Sequence, residues 1–173
     1  GSCFAENMGE KLGYFKFRNT VNPFGIIFNP VSIEKLLSRA INQVEFTEAD
    51  IFFHNERWHC FEVHSDVSHA NKEVCLAILN EMLQHLHDQL ATATHIILTY
   101  GTSWVYRHKA SQLVVANCHK VPQVQFDKEI LSIDTIAKSI QYTIATIRKM
   151  NPNGLVLFTV SPVRHSKDGF VEN

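Results

Sequence analysis

Two short, almost uninterrupted apolar runs, His95-Ile96-Ile97-Leu98-Thr99-Tyr100 and Leu155-Val156-Leu157-Phe158-Thr159-Val160, constrain this chain more than any other feature. A run with no polar alternation has no solvent-facing side, so it suits a strand covered on both faces, as in a parallel sheet. Between the two, Ser132 to Met150 repeats apolar residues at helical spacing. Strand, helix and strand in that order predict a right-handed βαβ layer and an α/β domain. Ligands of open α/β sheets bind beyond the carboxyl ends of the strands. Gly101 and Ser161, which follow the two runs, therefore mark where chemistry is expected.

The remaining elements are read around that frame. Asn71 to Leu90 spaces Val74, Ile78, Leu79, Met82, Leu86 and Leu90 to cover a sheet. Ser32 to Ile41 aligns Ile33, Leu36, Leu37 and Ile41 on one face, with Ser32 as N-cap. Phe4, Met8 and Leu12 predict a short helix directly after Ser2, ended by Gly13, and Tyr14-Phe15-Lys16-Phe17 alternates as a strand would. A loop rich in turn formers follows from Asn19 to Pro30. Two hairpins are expected, one between Thr47 and His69 about the turn Asn55-Glu56-Arg57. The other joins Trp104-Val105-Tyr106-Arg107 to Leu113-Val114-Val115-Ala116 and brings Asn117-Cys118-His119 towards the Gly101 strand end.

With 173 residues and 45% hydrophobic content the chain can bury the core of one domain, taken as 1–173, and it contains no repeat or linker tract. Sixteen basic residues against 17 acidic ones give none of the basic excess that nucleic-acid binding requires, so a small or neutral substrate is expected. Cys3, Cys60, Cys75 and Cys118 form no Cys-x-x-Cys pair, which predicts reduced thiols and a cytoplasmic setting. No apolar run reaches the ~20 residues of a membrane helix. Gly1-Ser2-Cys3 reads as the turn leaving a strand, and the other end stops abruptly at Asn173, so a piece incomplete at both ends is expected.

Nucleophilic catalysis needs a hydroxyl or thiol fixed in a turn, with backbone N–H groups directed at the oxyanion. Ser2, preceded by Gly1 and followed by a helix, meets the backbone half of that demand, although a Gly-Ser before a helix also serves as a plain N-cap. Gly1-Ser2-Cys3-Phe4-Ala5 is the signature that names the GSCFA family, which is similar to the SGNH or GDSL-like esterases. The blocks Asn22-Pro23-Phe24-Gly25-Ile26-Ile27-Phe28-Asn29-Pro30, Leu98-Thr99-Tyr100-Gly101-Thr102-Ser103-Trp104-Val105-Tyr106, Ala116-Asn117-Cys118-His119-Lys120-Val121-Pro122 and Thr159-Val160-Ser161-Pro162-Val163 resemble the same family.

That resemblance implies an SGNH-hydrolase (flavodoxin-like) three-layer α/β fold with a mostly parallel sheet, of which this chain would be the N-terminal part. It gives Ser2 the place of the nucleophile, Gly25 that of the second-block glycine and Gly101 the opening of the third block. The Gly25 and Ser2 N–H groups would then be oxyanion donors. Two departures follow. Where SGNH enzymes read Gly-x-Asn, this chain has Ser103, so Ser103 or Asn117 would replace the missing amide donor. The late Asp-x-x-His that supplies the base has no counterpart, which leaves His165 and His119 as in-chain substitutes or a base beyond Asn173.

Cys3 and Cys118 are the thiol alternatives to Ser2. His54, His59, His64 and His69, with His85 and His87, suggest metal only weakly, since five-residue spacing alternates strand faces. Trp58, Trp104 and Tyr106 offer aromatic surface for a sugar, or ordinary packing. The expected activity is a serine-dependent ester hydrolase or acyltransferase. It would need no metal or cofactor and would act on a small acyl ester, for instance an acetyl on a carbohydrate. The alternatives are a carbohydrate-binding or interaction module on the same fold, and a metal-dependent enzyme.

Overall fold

The computed structural model describes residues 1–160, and the expectations for Ser161-Pro162 and His165 lie outside them. Its helices are α1 (Cys3–Tyr14), α2 (Pro30–Ile41), α3 (Lys72–Thr92) and α4 (Ile133–Met150). Its strands are β1 (Ile51–His54), β2 (Arg57–Cys60), β3 (His95–Tyr100), β4 (Trp104–His108), β5 (Val114–Val115), β6 (Phe126–Ile130) and β7 (Leu155–Val160).

The two apolar runs pair in parallel, from His95 opposite Leu155 to Tyr100 opposite Val160. Asn151, at the end of α4, fixes that register. Its amide nitrogen donates to Leu90 O and Ala93 O at 2.8 Å each, and its oxygen accepts from Gly154 N. One face of the pair, carrying Ile96, Leu98, Tyr100, Val156 and Phe158, packs into the main core with Leu36, Ala40, Leu79, Leu83 and Ile147. The other face is not covered as expected: Ile97 is 52% exposed and its partner Leu157 40%. Among the described residues of α1 only Gly9 is buried, so that helix does not cover them.

A mostly parallel sheet is not found among the described residues. Parallel pairing is confined to β3 and β7, while β1-β2 is an antiparallel hairpin and β5-β4-β6 a second antiparallel sheet. The chain between β3 and α4 is spent on that second sheet rather than on a further parallel strand. Its edge strand β6 went unread in Phe126-Asp127-Lys128-Glu129-Ile130. There Arg107 Nε donates to Glu129 Oε1 at 3.0 Å, so charged side chains serve as cross-strand partners.

Smaller expectations also change. Tyr14 to Phe17 is not a strand: α1 continues through Gly13 to Tyr14, and Lys16 turns the chain at φ 63°, with Lys16 N on Gly13 O and Phe17 N on Leu12 O. The N-cap of α2 is Asn29 rather than Ser32. Asn29 Oδ1 accepts the Ser32 N–H at 2.8 Å and Pro30 takes the first helical position, where its missing N–H costs nothing. The β1-β2 hairpin turns on Asn55 and Glu56, both at positive φ as a tight primed turn demands. Arg39 of α2 anchors the region around it through two bonds to Glu62, one to Asp50 Oδ1 at 2.9 Å, and its guanidinium 4.3 Å above the Phe46 ring. No described helix is long and apolar enough to cross a membrane.

Candidate active site

Three sequence blocks meet at the carboxyl end of β3. Gly1 O accepts from Ile27 N at 3.1 Å, and Gly101 N donates to Phe28 O at 2.8 Å, so the loop from 22 to 30 is stitched between the first turn and the third. A Cβ on Gly1 would stand 2.7 Å from Ala5 Cβ, 3.1 Å from Asn22 Oδ1 and 3.8 Å from Thr99 Cβ. A side chain here would collide with Ala5 in the first turn of α1 and crowd the Asn22 amide, so glycine suits the turn.

Ser2 is the N-cap of α1, with extended backbone (φ −100°, ψ 179°), but its side chain does not cap. The residue is 4% exposed, and its buried Oγ has no hydrogen-bond partner. A buried hydroxyl without a partner costs about 1–3 kcal/mol, so a hydroxyl left free at a helix N-terminus calls for an explanation other than stability. Cys3, the first helical residue, is exposed, and burial pushes the Cys118 thiol up to about 11, which removes it as a thiolate nucleophile near neutral pH.

The other expected site residues divide. Gly25 sits at φ +76°, and a side chain on it would overlap His64. Its N–H closes a turn onto Asn22 O at 2.7 Å, so as placed it is committed and is not a free oxyanion donor. A Cβ on Gly101 would come within 2.8 Å of the Phe28 ring, and Ser103, two residues on, accepts Leu131 N at its carbonyl. Asn117 Oδ1 accepts from His119 N at 2.8 Å. Its loop is tied by Ala116 N to Phe61 O and by His119 Nε2 to Cys60 O, next to β2.

His119 does not suit the role of base. It is 3% exposed, and with Nε2 bonded to the Cys60 carbonyl it is held as the neutral Nε2–H tautomer, leaving Nδ1 buried and unpartnered. Burial lowers its pKa to about 4, with the nearby His59 and His64 adding to the effect against the Cys60 carbonyl. A base at that pKa, sealed among Phe52, Phe61 and His59, has too little proton affinity at neutral pH.

Two features escaped the sequence reading. Asn22, read as a turn former at the head of a family-like block and given no role in the site, stands at φ 41° with its amide against Gly1, and its Nδ2 is buried without a partner. His64 packs on Gly25 and pairs its Nδ1 with Asp66 Oδ2 at 3.0 Å. Asp66 and His69 do have Asp-x-x-His spacing, but Asp66 pairs with His64 instead, while His69 Nδ1 accepts from Asn71 N.

Two cavities lie elsewhere. One of about 320 Å³ is lined by Gln43, Asn80, Gln84 and His87, and one of about 460 Å³ by Glu34, Thr135, Lys138 and Tyr142. Neither reaches Ser2. Trp58 packs against the main core, whereas Trp104 and Tyr106 lie on β4, so the three aromatic residues do not form one platform. Among the described residues no group of three or more histidine, cysteine or acidic side chains is arranged to hold a metal ion.

Searches of curated proteins and of solved structures return no match. The family model described as GSCFA family matches residues 1–173, the whole chain. A match of that extent places the chain in the GSCFA family.

Proposed function

We propose that this chain carries the nucleophile and oxyanion side of a serine ester hydrolase or acyltransferase of the SGNH type. Ser2 Oγ attacks the carbonyl carbon of a small acyl ester, such as an O-acetyl group on a carbohydrate, and holds the acyl group until water or a second hydroxyl accepts it. The observation that carries the reading is the buried, unpartnered Ser2 Oγ at the N-terminus of α1, where the first-turn N–H groups and the helix dipole favour an oxyanion. Ser2 lies where Gly1, the loop from 22 to 30 and the Gly101 turn converge, beyond the end of a parallel strand. No described histidine bonds to Ser2 Oγ. The base is therefore sought among histidines outside the described residues, of which His165 is the candidate in this chain.

Ser2 is 4% exposed, so Oγ is closed to substrate as placed. That closure favours one other reading, a carbohydrate-binding or interaction module that keeps the fold without turnover. Trapping separates the two. After brief exposure of the full-length protein to p-nitrophenyl acetate and an acid quench, the acetyl group is expected on the peptide containing Ser2. Acetylation spread over lysines, with none on Ser2, would favour the binding module.

A further inference from the structure

An acyl-transfer site built around Ser2 needs at least two donors for the developing oxyanion, and in this chain one of the expected ones is already spent. Gly25 N–H is bonded to Asn22 O at 2.7 Å, while Asn117, whose Oδ1 accepts from His119 N, belongs to the loop held beside β2 by the Ala116 N to Phe61 O bond. Ser103 stands where SGNH enzymes carry the amide donor. A hydroxyl there is not equivalent, because it offers one rotatable proton where an amide offers two fixed ones.

One side-chain amide donor near Ser2 is left over. Asn22 Nδ2 is buried and has no partner, and the other half of the same amide, Oδ1, lies 3.1 Å from the position a Cβ on Gly1 would take, one residue before the nucleophile. The two orphaned groups, Ser2 Oγ and Asn22 Nδ2, thus flank Gly1. Native proteins rarely leave one buried polar atom unpaired, and two beside one glycine suggest a third party that bonds to both. Positive φ at Asn22, a conformation that asparagine tolerates better than most residues, holds the amide there, and the Asn22 O to Gly25 N bond braces the turn from the other side.

We infer that Asn22 is the amide donor of the oxyanion site, taking the part that a third-block asparagine plays in SGNH enzymes. The inference rests on the ester-transfer reading above and names a catalytic residue for it. As Ser2 Oγ bonds to the carbonyl carbon, its proton passes to the base and the carbonyl π pair moves onto oxygen. That oxygen accepts from Asn22 Nδ2–H and from the backbone N–H at the α1 terminus. When the pair returns, the ester C–O bond breaks and the leaving alkoxide takes the proton from the base.

The test uses the full-length protein with p-nitrophenyl acetate, comparing wild type with Ser2→Ala, Asn22→Asp and Asn22→Gly. Asn22→Asp keeps the shape and turns the donor into an acceptor, while Asn22→Gly keeps the positive φ and removes the side chain. Both are expected to lower kcat by about 10²–10³-fold, the usual effect of losing one oxyanion donor, with KM near the wild-type value. Asn22→Gly should melt close to the wild-type temperature, since Asn22 Nδ2 makes no bond to lose, whereas Asn22→Asp bears the added cost of a buried carboxylate. Wild-type turnover that depends on Ser2, together with kcat within about tenfold of wild type in either variant, would overturn the inference alone. A matched rise in KM or a loss of fold in both variants would overturn it as well, by reducing Asn22 to a structural residue. Absence of any Ser2-dependent turnover in the wild type would remove the ester-transfer reading and this inference with it.

Discussion

Replacing Ser2 by alanine in the full-length protein is expected to lower ester turnover by at least about 10⁴-fold while the fold survives, since removal of a covalent nucleophile costs this much or more. The fold survives because Ser2 Oγ caps no N–H of α1 and bonds to nothing. Deleting a buried hydroxyl that has no partner relieves a desolvation penalty, so stability should be unchanged or higher by up to about 1 kcal/mol. Activity and stability moving in opposite directions on one substitution would mark a group kept for chemistry. If turnover survives in Ser2→Ala, the acyl-Ser2 mechanism is wrong. If the variant is markedly less stable, Ser2 serves as an ordinary helix cap. Urea unfolding and steady-state hydrolysis of p-nitrophenyl acetate read the two effects separately.

Mild acid should weaken the fold through His119. Burial holds its folded pKa at about 4, against 6.5 for the unfolded imidazole, so between those values the unfolded chain binds more protons than the folded one. The sign follows: stability is full above the unfolded value and is lost progressively as pH falls from about 6.5 towards 4. A difference of about 2.5 pKa units corresponds to about 3 kcal/mol over that window. His59 shifts the same way, chiefly by burial. It bonds Ser68 Oγ through Nδ1 and the His54 carbonyl through Nε2, and its ring centroid is 4.8 Å from that of His119. Protonation here puts charge between β2 and the loop from 116 to 121, whose attachment includes the His119 to Cys60 bond. His119→Gln, which cannot titrate, should be less stable at neutral pH but flatter between pH 7 and 5 in chemical unfolding. An equal slope in the variant would assign the acid sensitivity elsewhere.

What the sequence made legible was what local pattern alone decides. The apolar runs of β3 and β7, the helix between Ser132 and Met150 and the Asn55 turn could be read because each side chain's role there depends on near neighbours. The edge strand β6 could not, since its three charged residues suit a strand only once Arg107 and Lys109 of the adjoining strand region stand opposite as partners. The strand expected at Tyr14 to Phe17 failed for the reverse reason. Alternation was present, but Lys16 in the left-handed region closes α1 and leaves Tyr14, Phe15 and Phe17 exposed. For α2 the cue lay in Asn29-Pro30, and a cap with proline at the first helical position outweighs the serine two residues later.

The site divides in the same way. Ser2 was visible as a Gly-Ser turn before a helix, Gly25 and Gly101 through the resemblance of their blocks to the GSCFA family, and all three stand where the blocks meet. Their finer roles depend on which N–H groups are already bonded, which no motif records. Gly25 proved to be required by its φ and by the approach of His64, its N–H being taken by Asn22 O. Asn22 could not be separated from an ordinary turn residue until its amide was found without a partner. His119 follows β5 as expected, yet bonds inward to Cys60 and is lost as a base.

The central claim is that Ser2 is an activated nucleophile, and intact-mass analysis after treatment with a fluorophosphonate probe tests it most directly. Full-length protein should gain the mass of one phosphonyl adduct, localised to the peptide containing Ser2, and the Ser2→Ala variant should gain none. An unlabelled wild type, or equal labelling of the variant, would contradict it.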